Sequence, residues 1–448
     1  MRFGVNYTPT HGWFHHWLDF DLDEIRADLD SIAALGLDHV RVFALWPLFQ
    51  PNRTLIRPRA VEQLVALTDA AAERGLDVAV DGLQGHLSSF DFLPSWTVTW
   101  HRRNLFTDPE AIEAQAAYLR TLAAALRERP NFLGMTLGNE INQFSGGPHP
   151  DPHPASATRT GAWLRRMLAA CEQGAPGRAH LHAGDDATWY RHGHPFTPEQ
   201  AATVGAMTAV HSWVFNGTAQ RHGPAGRATE QHAAYLIELS KAWATDPARP
   251  VWLQEVGAPA PHIPPERAAA FTAATLGAAL DCPHLWGVTW WCSHDVDRAL
   301  ADFPELEYGL GLLTHSRRPK PAGRELARVA AGWRAEGPSP ALRTTALVLD
   351  PQPQPQTPPR TRAQDQLQDQ AAQAQVRTAC APGGAFFEAW AALAAEGARP
   401  AVVLASRAAD PAHLAARGIT ETVRPSEVPL GAVPPPARRT SREDGPHA

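Results

Sequence analysis

From residue 1 to about 335, short apolar runs alternate with stretches of helical periodicity. Residues 3–7 read as a first strand. A helix follows over 21–35, with Ile25, Leu29, Ile32 and Ala33 on one face and Gly36 as its C-terminal stop. The alternation repeats at 38–43 and 60–74, at 76–80 and 109–128, and at 132–138 and 157–171. The second half is less clean. Strands at 179–183, 208–213, 250–255 and 286–291 are followed by helices at 198–206, 228–244, 265–280 and 321–336. Eight apolar strands, each followed by a helix, predict an α/β fold: a parallel (β/α)₈ (TIM) barrel over 1–336 rather than a doubly wound sheet.

Beyond 336 the pattern changes. A strand-like TTALVL at 344–349, a helix at 385–396 and a second strand at 401–405 predict a small C-terminal α/β module over 337–448. A Pro/Gln-rich stretch at 351–375, nearly free of large apolar residues, interrupts it and is expected to be disordered. The tail beyond 434 is polar and expected to fray. No chemistry is visible in this module, which leaves it packing against the barrel or an oligomer contact as its role.

Composition narrows the function. Hydrophobic residues make up 44% and charged residues 19% of the 448, enough for a large core. The net charge of -6, a pI near 6.4 and the lack of a basic block speak against nucleic acid and anionic membranes as partners. None of the four cysteines (Cys171, Cys282, Cys292, Cys380) forms a C-x-x-C pair, so zinc ribbons and thioredoxin-type motifs drop out. The opening MRFGVNYTPT has no apolar core of a leader, and no apolar run approaches the roughly 18 residues of a membrane span. A cytoplasmic protein with reduced thiols is expected, which leaves the sequons at Asn52 and Asn216 without a role. The 15 tryptophans and 21 histidines, many lying between periodic segments, suit a ligand with apolar faces edged by hydroxyls, of which sugars are the commonest.

In a parallel barrel the reactive groups sit at the C-terminal ends of the strands. Those positions hold Arg41 on the second strand, Asp81 and His86 after the third, and Asn139-Glu140 after the fourth. They hold His211 and Trp213 on the sixth, Gln254-Glu255 on the seventh, and Trp290 and Trp291 on the eighth. Glu140 and Glu255 each follow an apolar strand directly, as the paired carboxylates of glycoside hydrolysis require. One must be protonated to assist the leaving oxygen and the other ionised to attack, and their mutual repulsion keeps one pKa raised. A separation of about 5–5.5 Å gives retention of configuration, and a wider one gives inversion. The histidines of PHPDPHP (His149, His153) and RHGH (His192, His194) lack metal-ligand spacing and read as sugar-contacting or solvated loops; no metal or organic cofactor is expected. Gly309-Leu310-Gly311 lacks a third glycine and reads as a turn, and no G-x-S-x-G is present.

The Asn139-Glu140 pair and Glu255 resemble clan A glycoside hydrolases, and Arg41, His86, His211 and Trp291 fit the further pattern of glycoside hydrolase family 5. The resemblance covers residues 1–335. It implies a retaining double displacement with Glu140 as general acid/base and Glu255 as nucleophile, Asn139 donating to the sugar 2-hydroxyl and Arg41 holding Glu255 ionised. It further implies His86 and His211 near the −1 sugar and Trp291 as its floor. Trp290 is the alternative floor, since adjacent strand residues point to opposite sides. One departure is His211-Ser212-Trp213, where the family commonly has a tyrosine in place of Trp213. An indole donates but cannot accept. The segments FGVNYTPTHGWFHHW, DGLQGHLSSFDFLPSW and TWWCSHD are most similar to a bacterial subfamily of exo-acting β-mannosidases, implying mannosyl-β-1,4-N-acetylglucosamine as an oligosaccharide substrate. The loops 11–17 and 95–106 are bulky enough to close one end of a cleft. Two other readings stay open: an endo-β-1,4-glycanase on mannan or cellulose, and a barrel that binds carbohydrate without cleaving it.

Overall fold

Seven parallel strands form one curled sheet in the order Phe132–Thr136, Asp77–Asp81, His39–Phe43, Arg2–Asn6, Leu285–Trp290, Val251–Val256, Thr208–Ser212. The structure is a computed structural model and describes all residues except 85, 101–102, 147–148, 338–339, 341, 352–377 and 431–448. The eighth member of the barrel is thinner than the sequence predicts. Over 179–183 only Leu181 pairs in register, with Thr136, although Ala179 and Leu181 both donate to the strand Phe132–Thr136 at 2.9 Å. The cause is local: the His180 ring accepts the Met135 amide at 3.1 Å and displaces a ladder partner. On the other side Ala206 donates to the His180 carbonyl at 2.8 Å, and the ring closes into a (β/α)₈ barrel.

The strands form where runs of apolar residues are covered on both faces. His39–Phe43 and Val251–Val256 are buried throughout, as in a sheet sandwiched between a packed interior and an outer layer of helices. Ala79, Leu181, Met207, Ala209 and Trp252 fill the interior at the lower end. The outer helices begin where the sequence marks them. Asp21 caps Leu22–Ala33, which buries Ile25, Leu29 and Ile32; Asp108 caps Pro109–Leu126 and Ser156 caps Ala157–Gly174. The predicted helix at 228–244 is split at Gln231 into Arg227–Glu230 and His232–Trp243.

Residues beyond the last barrel helix, Pro321–Glu336, build a second parallel sheet in the order Ala401–Leu404, Thr345–Leu349, Glu421–Val423. Its third strand is absent from the sequence prediction because it is only three residues long, with Glu421 and Thr422 polar and exposed. Phe386, Phe387 and Trp390 of the helix Ala385–Ala395 join the same hydrophobic core as the barrel. Tyr235 lies between Phe387 and Trp390, with ring centroids 4.9 and 5.1 Å away. The Pro/Gln-rich stretch from 352 onward and the tail beyond 434 lie outside the described residues. No helix among the described residues is long and apolar enough to cross a membrane.

Candidate active site

Arg41 lies at the centre of the barrel mouth, fully buried, with all five N–H donors committed. Its Nε and Nη2 hold Asp81 at 2.8 and 2.5 Å, its Nη1 holds Asn6 at 3.0 Å and Glu255 at 2.7 Å, and its Nη2 also reaches Asn139 at 2.7 Å. One planar cation thus ties together the first, second, third, fourth and seventh strands, and a fork of fixed geometry can do so where a lysine could not. Asn139 accepts from Arg41 and gives one Nδ2 hydrogen to the His86 carbonyl at 2.9 Å, which leaves its other hydrogen for a ligand.

The seventh strand reaches the site through a bulge. Val210 pairs with Leu253 and His211 with Glu255, so Gln254 has no partner, and Gln254 and Glu255 both turn toward the barrel axis. Glu255 takes Arg41 on Oε1 and the Trp213 indole N–H on Oε2 at 3.2 Å. The substitution of tryptophan for tyrosine therefore keeps a donor on this carboxylate. Glu140 sits in the left-handed region (φ 46°, ψ 34°), a conformation that costs a non-glycine residue roughly 1–2 kcal/mol. It is held there by His211 Nδ1 at 2.7 Å on Oε1 and by Gln143, which donates to Oε2 at 2.6 Å.

Glu140, His211 and Glu255 present atoms all within 4.8 Å of one another. Burial pushes the Glu140 carboxyl up, Glu255 adds to the rise, and the hydrogen bond from His211 opposes it; the net direction is upward. Burial works against a charge on His211, but Glu255 and Glu140 outweigh it and raise its pKa, which favours the imidazolium. Both ring nitrogens then have acceptors, since Nε2 is 3.2 Å from the side-chain Oε1 of Gln254, an amide oriented by its own Nε2 donating to Thr136 Oγ1 at 3.0 Å. Among the described residues this triplet is the one group with metal-ligand spacing. The guanidinium on Glu255 and the imidazole on Glu140 already supply positive charge there, so the arrangement fits acid–base work better than a dication.

The tryptophan ambiguity resolves by alternation. Thr289 points into the barrel, where it meets His39 and Trp252 at 2.7 Å, so Trp290 points outward into the helix layer. Trp290 is a core residue and does not belong to the site. Trp291 turns back inward beside Trp213, with centroids 6.5 Å apart, and packs edge-on to Phe43 at 5.7 Å. His86 stands at the rim, 3.2 Å from Asp91; burial opposes its charge, but Asp91, Glu140 and Asp185 raise its pKa. It borders a cavity of about 250 Å³ that is also lined by Gln143, His149, Asp185, Arg191 and His194. His149 and His194 thus fall into one wall of the cleft, while His153 packs behind it with its Nδ1 accepting the Leu105 amide.

Several site groups escape a reading of strand ends. Asp81 was visible at its strand end, but its pairing with Arg41 was not. Asn6 and Gln143 carry no sequence signal. Glu307 lies on the loop after the eighth strand, where Ser88 donates to it at 2.9 Å and the Trp291 indole also donates. Burial lifts Glu307 to about 7 against the Ser88 hydrogen bond. The loop 11–17 interlocks with that region through aromatic rings: Trp13 meets Phe303 at 4.7 Å and Phe90 and Phe92 at 5.8 Å. In the other loop Trp96 packs elsewhere, donating to the Gln50 carbonyl at 3.0 Å and meeting Trp46 edge-on.

Two opposed carboxyls at the mouth of a parallel barrel, one prone to hold its proton and the other pinned by a guanidinium, are built to split glycosidic bonds; the class is glycoside hydrolase. The comparisons with solved structures agree. A GH5_18 protein from Streptomyces cattleya in complex with GlcNAc is 70% identical, with a TM-score of 0.89 over 95% of this chain and 99% of that one. A Glu-to-Ala variant of it, matched with the same figures, is in complex with Manβ1-4GlcNAc. A Glu-to-Ala variant of GH5_18 from Bifidobacterium longum, in complex with the same disaccharide, is 42% identical over 99% of both chains, with a TM-score of 0.87. The exo-β-1,4-mannosidase Op5Man5 from an Opitutaceae bacterium, 23% identical over 90% of this chain and 69% of that one, shares the fold at a TM-score of 0.73. No family model and no curated protein matched the sequence. The chain belongs to glycoside hydrolase family 5, subfamily 18.

Proposed function

We propose that the protein is a retaining exo-β-mannosidase that releases terminal β-1,4-linked mannose from small oligosaccharides, with mannosyl-β-1,4-N-acetylglucosamine as its substrate. The observation that carries this reading is the Manβ1-4GlcNAc bound by a 70% identical variant that matches nearly the whole chain. Glu255, kept anionic by Arg41 and Trp213, attacks the anomeric carbon as Glu140 gives its proton to the glycosidic oxygen. In the second step Glu140 takes a proton from water, and that water displaces Glu255 from the sugar. A Glu140 oxygen and a Glu255 oxygen within 4.8 Å of each other support retention, since inversion needs about 6.5–9.5 Å between the groups for a water. Trp291 forms the floor under the −1 sugar, the free Asn139 hydrogen meets its 2-hydroxyl, and His86 and His211 line its edge. The packing of Trp13 with Phe90 and Phe303, which joins the loops after the first, third and eighth strands, supports an exo-acting site with one end of the cleft closed. Action in the cytoplasm belongs to the same proposal, supported by four free, buried cysteines.

The test is hydrolysis of p-nitrophenyl β-mannoside beside the β-glucoside, the β-galactoside and mannosyl-β-1,4-N-acetylglucosamine, with Glu140→Ala and Glu255→Ala as controls. Cleavage of the two mannosides alone, lost in both variants, is the expected result. Mixed oligomers released from mannohexaose would instead indicate an endo-acting enzyme. Sugar binding without any turnover would indicate a carbohydrate-binding barrel.

A further inference from the structure

Glu307 occupies a place that neither protein stability nor the double displacement accounts for. It lies in the turn Glu305–Gly309, on the loop that follows the eighth strand, and its carboxyl is fixed from two sides of the barrel mouth. Ser88, in the hairpin after the third strand, donates to it at 2.9 Å, and Trp291, beside the catalytic pair, donates from its indole N–H. Among the described residues no lysine or arginine bridges to it, and the His86 imidazole is the cationic group that acts on it; its neighbour Glu305 takes Arg298. A half-buried carboxyl with Glu255 near it, and with burial outweighing the His86 imidazole, is an unfavourable arrangement for structure alone, and an amide would serve the same two donors as well. Two donors occupy part of its hydrogen-bonding capacity, since a carboxyl has two oxygens with about four lone-pair sites. The remainder is held rigidly at the edge of the tryptophan on which a sugar ring would lie.

We infer that the Glu307 carboxyl reads the hydroxyls of the sugar seated on Trp291, as a specificity-determining group for the glycoside whose bond is cleaved. Sugar hydroxyls both donate and accept, so a carboxyl there binds them in either protonation state. Its position, set by Ser88 and Trp291 together, decides which hydroxyl configuration is met. The inference rests on the glycosidase reading of this site but not on the sugar being mannose.

The experiment uses the full chain, its Glu307→Gln and Glu307→Ala variants, and the p-nitrophenyl glycoside that the wild type cleaves fastest, together with the 3-, 4- and 6-deoxy analogues of that glycoside. For the wild type, loss of the hydroxyl that Glu307 reads is expected to lower kcat/KM about 10- to 100-fold. In Glu307→Ala the same deletion is expected to cost less than about 2-fold, because the partner is already gone. Glu307→Gln should fall between the two and should melt close to the wild-type temperature. A purely structural residue would lower kcat/KM equally for parent and deoxy substrates, and that pattern would overturn the inference while leaving the glycosidase reading intact. A wild type inert toward every glycoside would overturn both.

Discussion

Each carboxyl of the proposed catalytic pair is tuned by a neighbour whose removal has a predictable sign. Arg41 fixes Glu255 through a fork that also holds Asp81, Asn6 and Asn139, so Arg41→Lys should lower kcat/KM at least about 100-fold and also lower the melting temperature. Kinetics and a thermal melt on the same preparation check this; unchanged stability would mean that the fork is dispensable. Trp213 gives Glu255 one hydrogen bond, and Trp213→Phe should cost about 10- to 100-fold in kcat/KM, the range for a bond to a charged group. The pH profile tests Glu140. A general acid must carry its proton, so activity falls as pH rises through its raised pKa. His211 pulls that pKa down, and in His211→Ala burial and Glu255 act unopposed. The alkaline limb of kcat/KM should therefore move to higher pH, and a move to lower pH would contradict the assignment. At this scale the sequence was informative where residue type and strand end coincide, as at Arg41, Asn139, Glu140, His211, Trp213, Glu255 and Trp291. Trp290 illustrates the limit, because its facing depends on where alternation is anchored and only the Thr289 contacts supply that anchor. Glu307 had no such signal, since it lies on a loop away from any strand end and its Ser88 donor is 219 residues away in sequence.

The elements themselves follow the hydrophobic pattern closely, and the last barrel helix, Pro321–Glu336, coincides with its predicted bounds. The pattern fails where hydrogen bonds leave the ladder. At 179–183 a histidine ring replaces a backbone acceptor, and at Gln254 a bulge puts two consecutive residues on one side. Neither is encoded in periodicity. The link between element and chemistry is tight at the end of the fourth strand. A Cβ on Gly138 would collide with the Leu83 carbonyl, one residue before Asn139 and two before Glu140. Gly138→Ala should therefore displace both, lowering kcat/KM at least about 10-fold together with a loss of stability of about 2 kcal/mol. A variant that melts and turns over like the wild type would show that the loop absorbs the methyl group.

At the scale of the whole molecule, the C-terminal sheet is joined to the barrel by one buried charge cluster. Glu238, on the barrel helix His232–Trp243, meets Lys241 at 2.9 Å on its own helix, and Arg417 at 3.0 Å and Arg343 at 3.4 Å from beyond the barrel. Burial alone would raise its pKa, but the three cations outweigh burial and hold it at about 2. A carboxyl with a depressed folded-state pKa stabilises above its unfolded value and loses that contribution as pH falls toward the folded one. The window here runs from about 4.5 down to about 2, and the contribution at neutral pH is about 3 kcal/mol. Glu238→Gln should show a stability deficit of at least that size at pH 7 in denaturant melts, shrinking as pH drops through the window. A deficit independent of pH would place the effect in packing instead. The sequence made the C-terminal residues legible as a strand–helix–strand pattern but not as part of the barrel's own core, because Tyr235, Phe387 and Trp390 meet only in three dimensions.

Proton NMR of p-nitrophenyl β-mannoside hydrolysis, followed from the first turnover, distinguishes a double displacement by Glu140 and Glu255 from a single one. A double displacement releases β-mannose first, and the α-anomer appears only later, as free mannose equilibrates in water. Initial release of α-mannose would mean that water attacks in a single step, and the nucleophile role of Glu255 would have to be abandoned.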